Sequence, residues 1–213
     1  MTWHQRTRTR PGWMAHPRDG ESWKDFDATF SDFAAEERNV RVGLCTDGFS
    51  PFGQFGHSYS SWPVMMCVYS LPPGICMKEA FVFMPLIIPG SKSPGRAFDV
   101  LLRPLVDELN ELCSVSVNVW DSHRQQNFQL RVALMWTISD FPAYGMLSGW
   151  STHGRLSCPY CMEKTGSFWL KERKKHSWFD CHRTFLPDNH EYKNKTRAFK
   201  KGRTFPPNMQ QKR

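Results

Sequence analysis

The stretch that most constrains this chain is Asn39–Gly53, NVRVGLCTDGFSPFG. Val40, Val42 and Leu44 alternate with other residues, the period of a strand with a buried face, and the alternation stops abruptly at Asp47-Gly48. A strand that ends on a carboxylate holds that acid more firmly than a loop can, which makes Asp47 the first candidate functional residue. On local grounds alone the plainer reading of Asp-Gly is a turn after a strand.

The segments that follow read as a sheet. A second strand is predicted at 62–69 and a third at 80–88, where Pro85 marks an edge or a bulge. Three short strands separated by turn residues predict an antiparallel meander. Phe98, Leu101, Leu102, Leu105, Val106, Leu109 and Leu112 then repeat with helical spacing, and Pro104 among them predicts a kink or a later start. SVSVNVW, at 114–120, reads as a fourth strand or an edge ribbon. The apolar run 128–138 fits either a strand or a buried helix, and the pattern favours a helix running into a strand end. That run breaks at Asp140-Phe141-Pro142, so Asp140 repeats the logic of Asp47. Two carboxylates held close together favour a shared proton or a divalent cation, with Mg²⁺ the natural occupant. Upstream, Trp23, Phe26, Phe30 and Phe33 recur at spacings of three and four, which predicts one short amphipathic helix or two turns on the outside of the domain, with rings that pack rather than react.

Charge divides the chain. Of 28 Lys/Arg and 20 Asp/Glu, residues 141–213 hold 15 and 5, leaving 13 and 15 for residues 1–140. The first two thirds is thus at −2 and the last third at +10, an asymmetry that favours an anionic partner, nucleic acid first. Basic residues alternate with Trp169, Trp178, Phe179, Phe199 and Phe205, as cationic surfaces with stacking side chains do. Prolines 63, 72, 73, 85 and 89 interrupt the apolar middle, so no membrane span is expected, and the basic N-terminus has no apolar run behind it to suggest secretion.

Seven cysteines, scattered except for Cys158-Pro-Tyr-Cys161, fit a reducing compartment with a metal site better than a disulfide scaffold. The C-x2-C pair predicts half of a structural Zn²⁺ knuckle. Its other half is sought in His182 and His190, with Cys181 as the alternative fourth ligand and His176 in reserve.

The strings GLCTDGFSPFG, SYSSWPV, LPPGICMKE, FVFMPLIIPGSKSPG, DVLLRPLVDEL, NFQLRVALMWTISDFPAYGMLSGWSTHGRLSCPYC and SWFDCHRTFLP together resemble the plant Tnp2-type transposases of CACTA (En/Spm-like) DNA transposons. The resemblance implies an α/β fold with an RNase H-like core, a mixed sheet whose first three strands are antiparallel, and a small zinc-binding insertion. It makes part of 131–139 a strand and places the first two catalytic acids at Asp47, in CTDGF, and Asp140, in DFPA, with Asp121 as runner-up. These would hold Mg²⁺ or Mn²⁺ for phosphodiester cleavage and strand transfer at transposon ends. The family's Cys-Cys-His insertion matches Cys158, Cys161 and His182. Its third acid lies beyond that insertion, where Glu191 has no catalytic surroundings, so the chain reads as a truncated catalytic domain.

The expected layout is a short N-terminal remnant and helix (1–38), the first part of the core (39–150), the insertion (151–191) and a basic tail (192–213). The expected partners are DNA and other transposase subunits or a second element-encoded DNA-binding protein, in the nucleus. The alternative is a non-catalytic, transposase-derived protein that binds DNA or another protein.

Overall fold

The structure, a computed structural model, describes residues 1–7, 9–53, 59–159, 161–165, 167–178, 189–191 and 195. The chain divides into two compact units, Met1–Leu147 and Ser148–Arg213. The first opens with helices α1 (Trp3–Arg6), α2 (Glu21–Thr29) and α3 (Ser31–Ala35). Strands β1 (Val40–Thr46), β2 (Trp62–Val68) and β3 (Val82–Ile88) follow, then helix α4 (Phe98–Ser114). Strands β4 (Val117–Asp121), β5 (Gln126–Leu130) and β6 (Val132–Ile138) lead to helix α5 (Phe141–Ser148).

The main sheet has four strands in the order β3-β2-β1-β6. β1 pairs antiparallel with β2 and parallel with β6. Being central, it is buried along nearly its whole length, as an interior strand covered on both faces must be. Val40, Val42 and Leu44 share one face with Trp62, Val64, Met66 and Ile88, and on them lie Phe98, Leu102 and Leu105 of α4 and Ala143 of α5. Each large side chain buried here contributes about 1.5–3 kcal/mol. α4 is continuous through Pro104 rather than starting after it. Pro104 is exposed, and the carbonyl it leaves without an amide partner belongs to Val100, itself 74% exposed, where water can serve it.

The opposite face carries Arg41, Gly43 and Cys45, alternating with the apolar set. Gly43 is required there, since a Cβ would lie 2.3 Å from Cε2 of Tyr69. Trp23 of α2 packs with Cys67, Tyr69, Val82 and Trp136. Arg41 is wholly buried. Its guanidinium carbon lies 4.8, 5.1 and 5.8 Å from the ring centres of Trp23, Phe33 and Phe26, and its nitrogens meet the Asp27 carboxylate at 2.5 Å and His4 Nε2 at 3.2 Å. Burial, and then the Arg41 charge, push the His4 pKa below its ordinary value. Three aromatic faces and one carboxylate thus stabilise a cation removed from water.

Residues 126–138 are extended, not helical. Their backbone groups are taken by β4 on one side and β1 on the other, and Trp136 joins the cluster around Trp23 and Tyr69. The SVSVNVW segment lies outside the main sheet, as one strand of a ribbon with β5.

The expected RNase H-like core with a zinc-binding insertion is corrected by these elements. The main sheet ends at β6, because Asp140-Phe141-Pro142 turns the chain out of it into α5, and among the described residues no further strand joins that sheet. What forms is an open, mixed α/β sheet without the closed topology of such a core, and without a zinc cluster among the described residues.

The second unit, in its described part, holds an antiparallel hairpin of β7 (Ser167–Leu170) and β8 (Lys175–Trp178) and a short turn at Gly154–Leu156 packed on β8. Among the described residues no helix is long and apolar enough to cross a membrane.

Candidate functional site

The parallel pairing of β1 with β6 brings the two candidate acids to one edge. The last register pairs are Leu44 with Thr137 and Cys45 with Ile138. Asp47 and Asp140 each lie two residues beyond the last of these pairs, just past the ends of β1 and β6. This is the carboxyl end of two adjacent parallel strands, where open α/β sheets present their functional groups. Both acids are exposed.

Each acid is also bound into local structure. The Asp47 carboxylate accepts the Gly48 amide at 2.7 Å. Gly48 lies against Trp62, where a Cβ would stand 2.5 Å from the indole, and the reciprocal Phe49–Ser61 amide bonds, 2.9 and 2.8 Å, tie the exit of β1 to the start of β2. Asp140 caps α5: its Oδ1 accepts the Ala143 amide at 2.9 Å, and its carbonyl accepts that of Tyr144 at 2.8 Å. Asp121, the runner-up, belongs elsewhere. It accepts the His123 and Arg124 amides in the β4–β5 turn and pairs with Arg38 at 3.1 Å.

Among the described residues no three or more His, Cys, Asp or Glu side chains are grouped so as to hold a metal ion. This overturns the Mg²⁺ or Mn²⁺ centre expected at Asp47 and Asp140. It overturns the Zn²⁺ knuckle as well. Cys158 and Cys161 form a turn of their own, with the Cys161 amide donating to Cys158 Sγ at 3.3 Å, and His190 makes no three-membered donor group with them. His182 and Cys181 lie outside the described residues. His176 stands on β8 opposite Trp169, ring centres 5.0 Å apart and nearly perpendicular.

A family model described as "Transposase family tnp2" matches residues 11–212. The chain belongs to the tnp2 transposase family. No curated protein and no solved structure matches it.

Within this tnp2-family chain the described cationic surface is concentrated at the β7–β8 turn. Residues 171–176, Lys-Glu-Arg-Lys-Lys-His, are all exposed. None of Lys171, Arg173, Lys174 and Lys175 makes an ion pair among the described residues. In the first unit, by contrast, Arg6 pairs with Glu37 at 3.0 Å and Arg131 with Asp32 at 2.6 Å. Sequence reasoning found the positive charge of this region but not the hairpin that presents it. The signal was there, in two short β-rich runs around a polar KERK turn.

Proposed function

We propose that this tnp2-family chain acts as a transposase-derived DNA-binding protein without a cleavage step of its own. The observation that carries this reading is the exposed cationic turn of the second unit, which has no ion pair among the described residues, in a region at +10 that belongs to a transposase family. Phosphate contacts of this kind position a protein on DNA without reading bases. The strings quoted above support placing the chain with the plant CACTA elements, with transposon ends as its DNA and other transposase subunits beside it, and the nucleus is where such DNA lies. The position of Asp47 and Asp140 at the same end of two adjacent parallel strands is consistent with descent from a strand-cutting enzyme.

A second reading, docking of a protein, is favoured by edge strand β3 and the residue before it, where Phe81, Phe83, Met84 and Ile87 are all more than 40% exposed.

A gel-shift titration of the purified chain on linear DNA tests the proposal. Binding is expected to weaken steeply with salt as phosphate counterions are released, without nicking. Nicking that disappears with Asp47→Asn would restore the enzyme, and no shift even at low salt would leave the protein-docking reading.

A further inference from the structure

The β7–β8 hairpin carries two kinds of group that together select among DNA structures. At its tip, Lys171, Arg173 and Lys174 surround a single acid, Glu172, and Lys175 opens the return strand. The turn is closed by the Lys174 amide donating to the Lys171 carbonyl at 3.3 Å, with Lys174 in the left-handed region at φ 46°. The turn gathers the tip cations into four consecutive exposed residues.

Two residues before Lys171 stands Trp169, half exposed. It is the cross-strand partner of His176, whose ring meets it nearly at right angles at 5.0 Å. The indole thus has a ring contact across the hairpin, two residues before the cationic tip, while half of its surface stays exposed. Beneath the hairpin the Gly154–Leu156 turn packs on β8, fixed by the Trp150 indole N–H donating 2.7 Å to the Leu156 carbonyl, and its Arg155 is exposed. The hairpin therefore has a support of its own and one more cation nearby.

Resting on the DNA-binding reading above, we propose that this hairpin recognises DNA carrying unpaired bases. The tip cations hold the backbone and Trp169 stacks on a base. Phosphates are common to duplex and single strand, so the cations alone do not discriminate. An indole does, because bases inside a duplex already have both faces covered, whereas an unpaired base offers one. A duplex with a single-stranded extension is accordingly the preferred ligand over the same duplex with blunt ends.

The test is fluorescence-anisotropy titration of the full chain on both DNAs at fixed salt. Wild-type protein is expected to bind the extended duplex more tightly. Trp169→Ala is expected to lower that affinity about 5- to 100-fold, as stacked-base truncations do, and to change the blunt-duplex affinity by less than about twofold. Trp169→Phe restores most of the loss. Neutralising the tip with Lys171→Gln, Arg173→Gln and Lys174→Gln weakens both complexes and lowers the slope of log affinity against log salt by about 2–3. Equal binding of the two DNAs by wild type, or an equal loss on both with Trp169→Ala, overturns the hairpin's role while leaving DNA binding intact. Absence of binding to either DNA overturns both readings. Unchanged thermal unfolding of the variants excludes a folding defect as the cause.

Discussion

Arg41 and Asp27 give the sharpest test of how the first unit holds together. Arg41 has no exposed surface, and the side chain of Asp27, its one carboxylate partner, is 31% exposed. Asp27→Asn keeps the shape and removes the charge, leaving a buried guanidinium with His4 and three aromatic faces. Breaking a buried pair from one side costs about 3–5 kcal/mol. Because Asp27 is partly in water already, the expected loss is smaller, about 2–3 kcal/mol. Arg41→Met is expected to do less harm, under about 1 kcal/mol, because it removes the buried charge and keeps an apolar stem of similar length. Asp27 can then turn to solvent. Adding Asp27→Asn to Arg41→Met should cost almost nothing further, since the interaction it removes is already gone. Urea unfolding followed by tryptophan emission reads this directly, as Trp23 lies over the guanidinium. If Arg41→Met proves more destabilising than Asp27→Asn, the account of a costly cation held by its partners is wrong.

Other consequences are simpler. Burial and the Arg41 charge hold the folded-state pKa of His4 below 6.5, so the unfolded chain binds the extra proton first. Stability is full above about pH 6.5 and falls on acidification toward the folded pKa; His4→Gln should reduce that slope in urea midpoints, with His16, also lowered by burial, supplying what remains. Asp19 is pulled down to about 2, because hydrogen bonds from Thr9, Ala15, Arg18 and His16 outweigh its desolvation. Its contribution is present above about pH 4 and lost as pH falls toward 2, an acid limb that Asp19→Asn should remove from thermal melts. Gly43→Ala forces a Cβ against Tyr69 and should cost about 1–3 kcal/mol in chemical denaturation. Asp140→Ala removes the α5 cap and should cost about 1 kcal/mol, with Asp140→Ser recovering most of it.

The strands were legible where alternation met a turn signal. β1 falls on its alternating run, and β2 and β3 fall within a residue or two of the apolar runs bounded by turn residues. The segment 128–138 was not legible from its own pattern, and only the family resemblance made part of 131–139 a strand, as β6 is. Its apolar residues satisfy both periods, and what decides between them is the backbone of β1, far from it in sequence, and of β4 in the adjoining hairpin. The aromatic spacing in 23–33 announced a packed helix face, but not what it packs on. A lone arginine inside a strand reads as a solvent-facing residue, and only the fold shows that Arg41 points at Trp23, Phe26 and Phe33. Metal chemistry misled for a related reason: ligand types and spacing can be read along a chain, whereas a donor cluster is a property of space.

Asp47 and Asp140 show how far spatial agreement alone can carry a functional claim. Nothing local connects residues so far apart in sequence. The parallel pairing of β1 and β6 puts them at the same end of adjacent strands. Yet sharing a sheet edge is a weaker condition than acting. Asp140 spends its carboxylate on the first turn of α5 and Asp47 spends one oxygen on Gly48, contacts that Asp and Gly-rich turns make for local reasons in proteins without any chemistry. A pair that also served a reaction would need a further group to share its charge, and among the described residues no third donor is grouped with it. Asn at both positions separates the two roles. The amide oxygen still caps and still closes the turn, so a double Asp47→Asn, Asp140→Asn variant should unfold within about 1 kcal/mol of wild type and bind DNA as before. A loss of DNA affinity with stability intact would mean that this edge, and not only the hairpin, belongs to the binding surface.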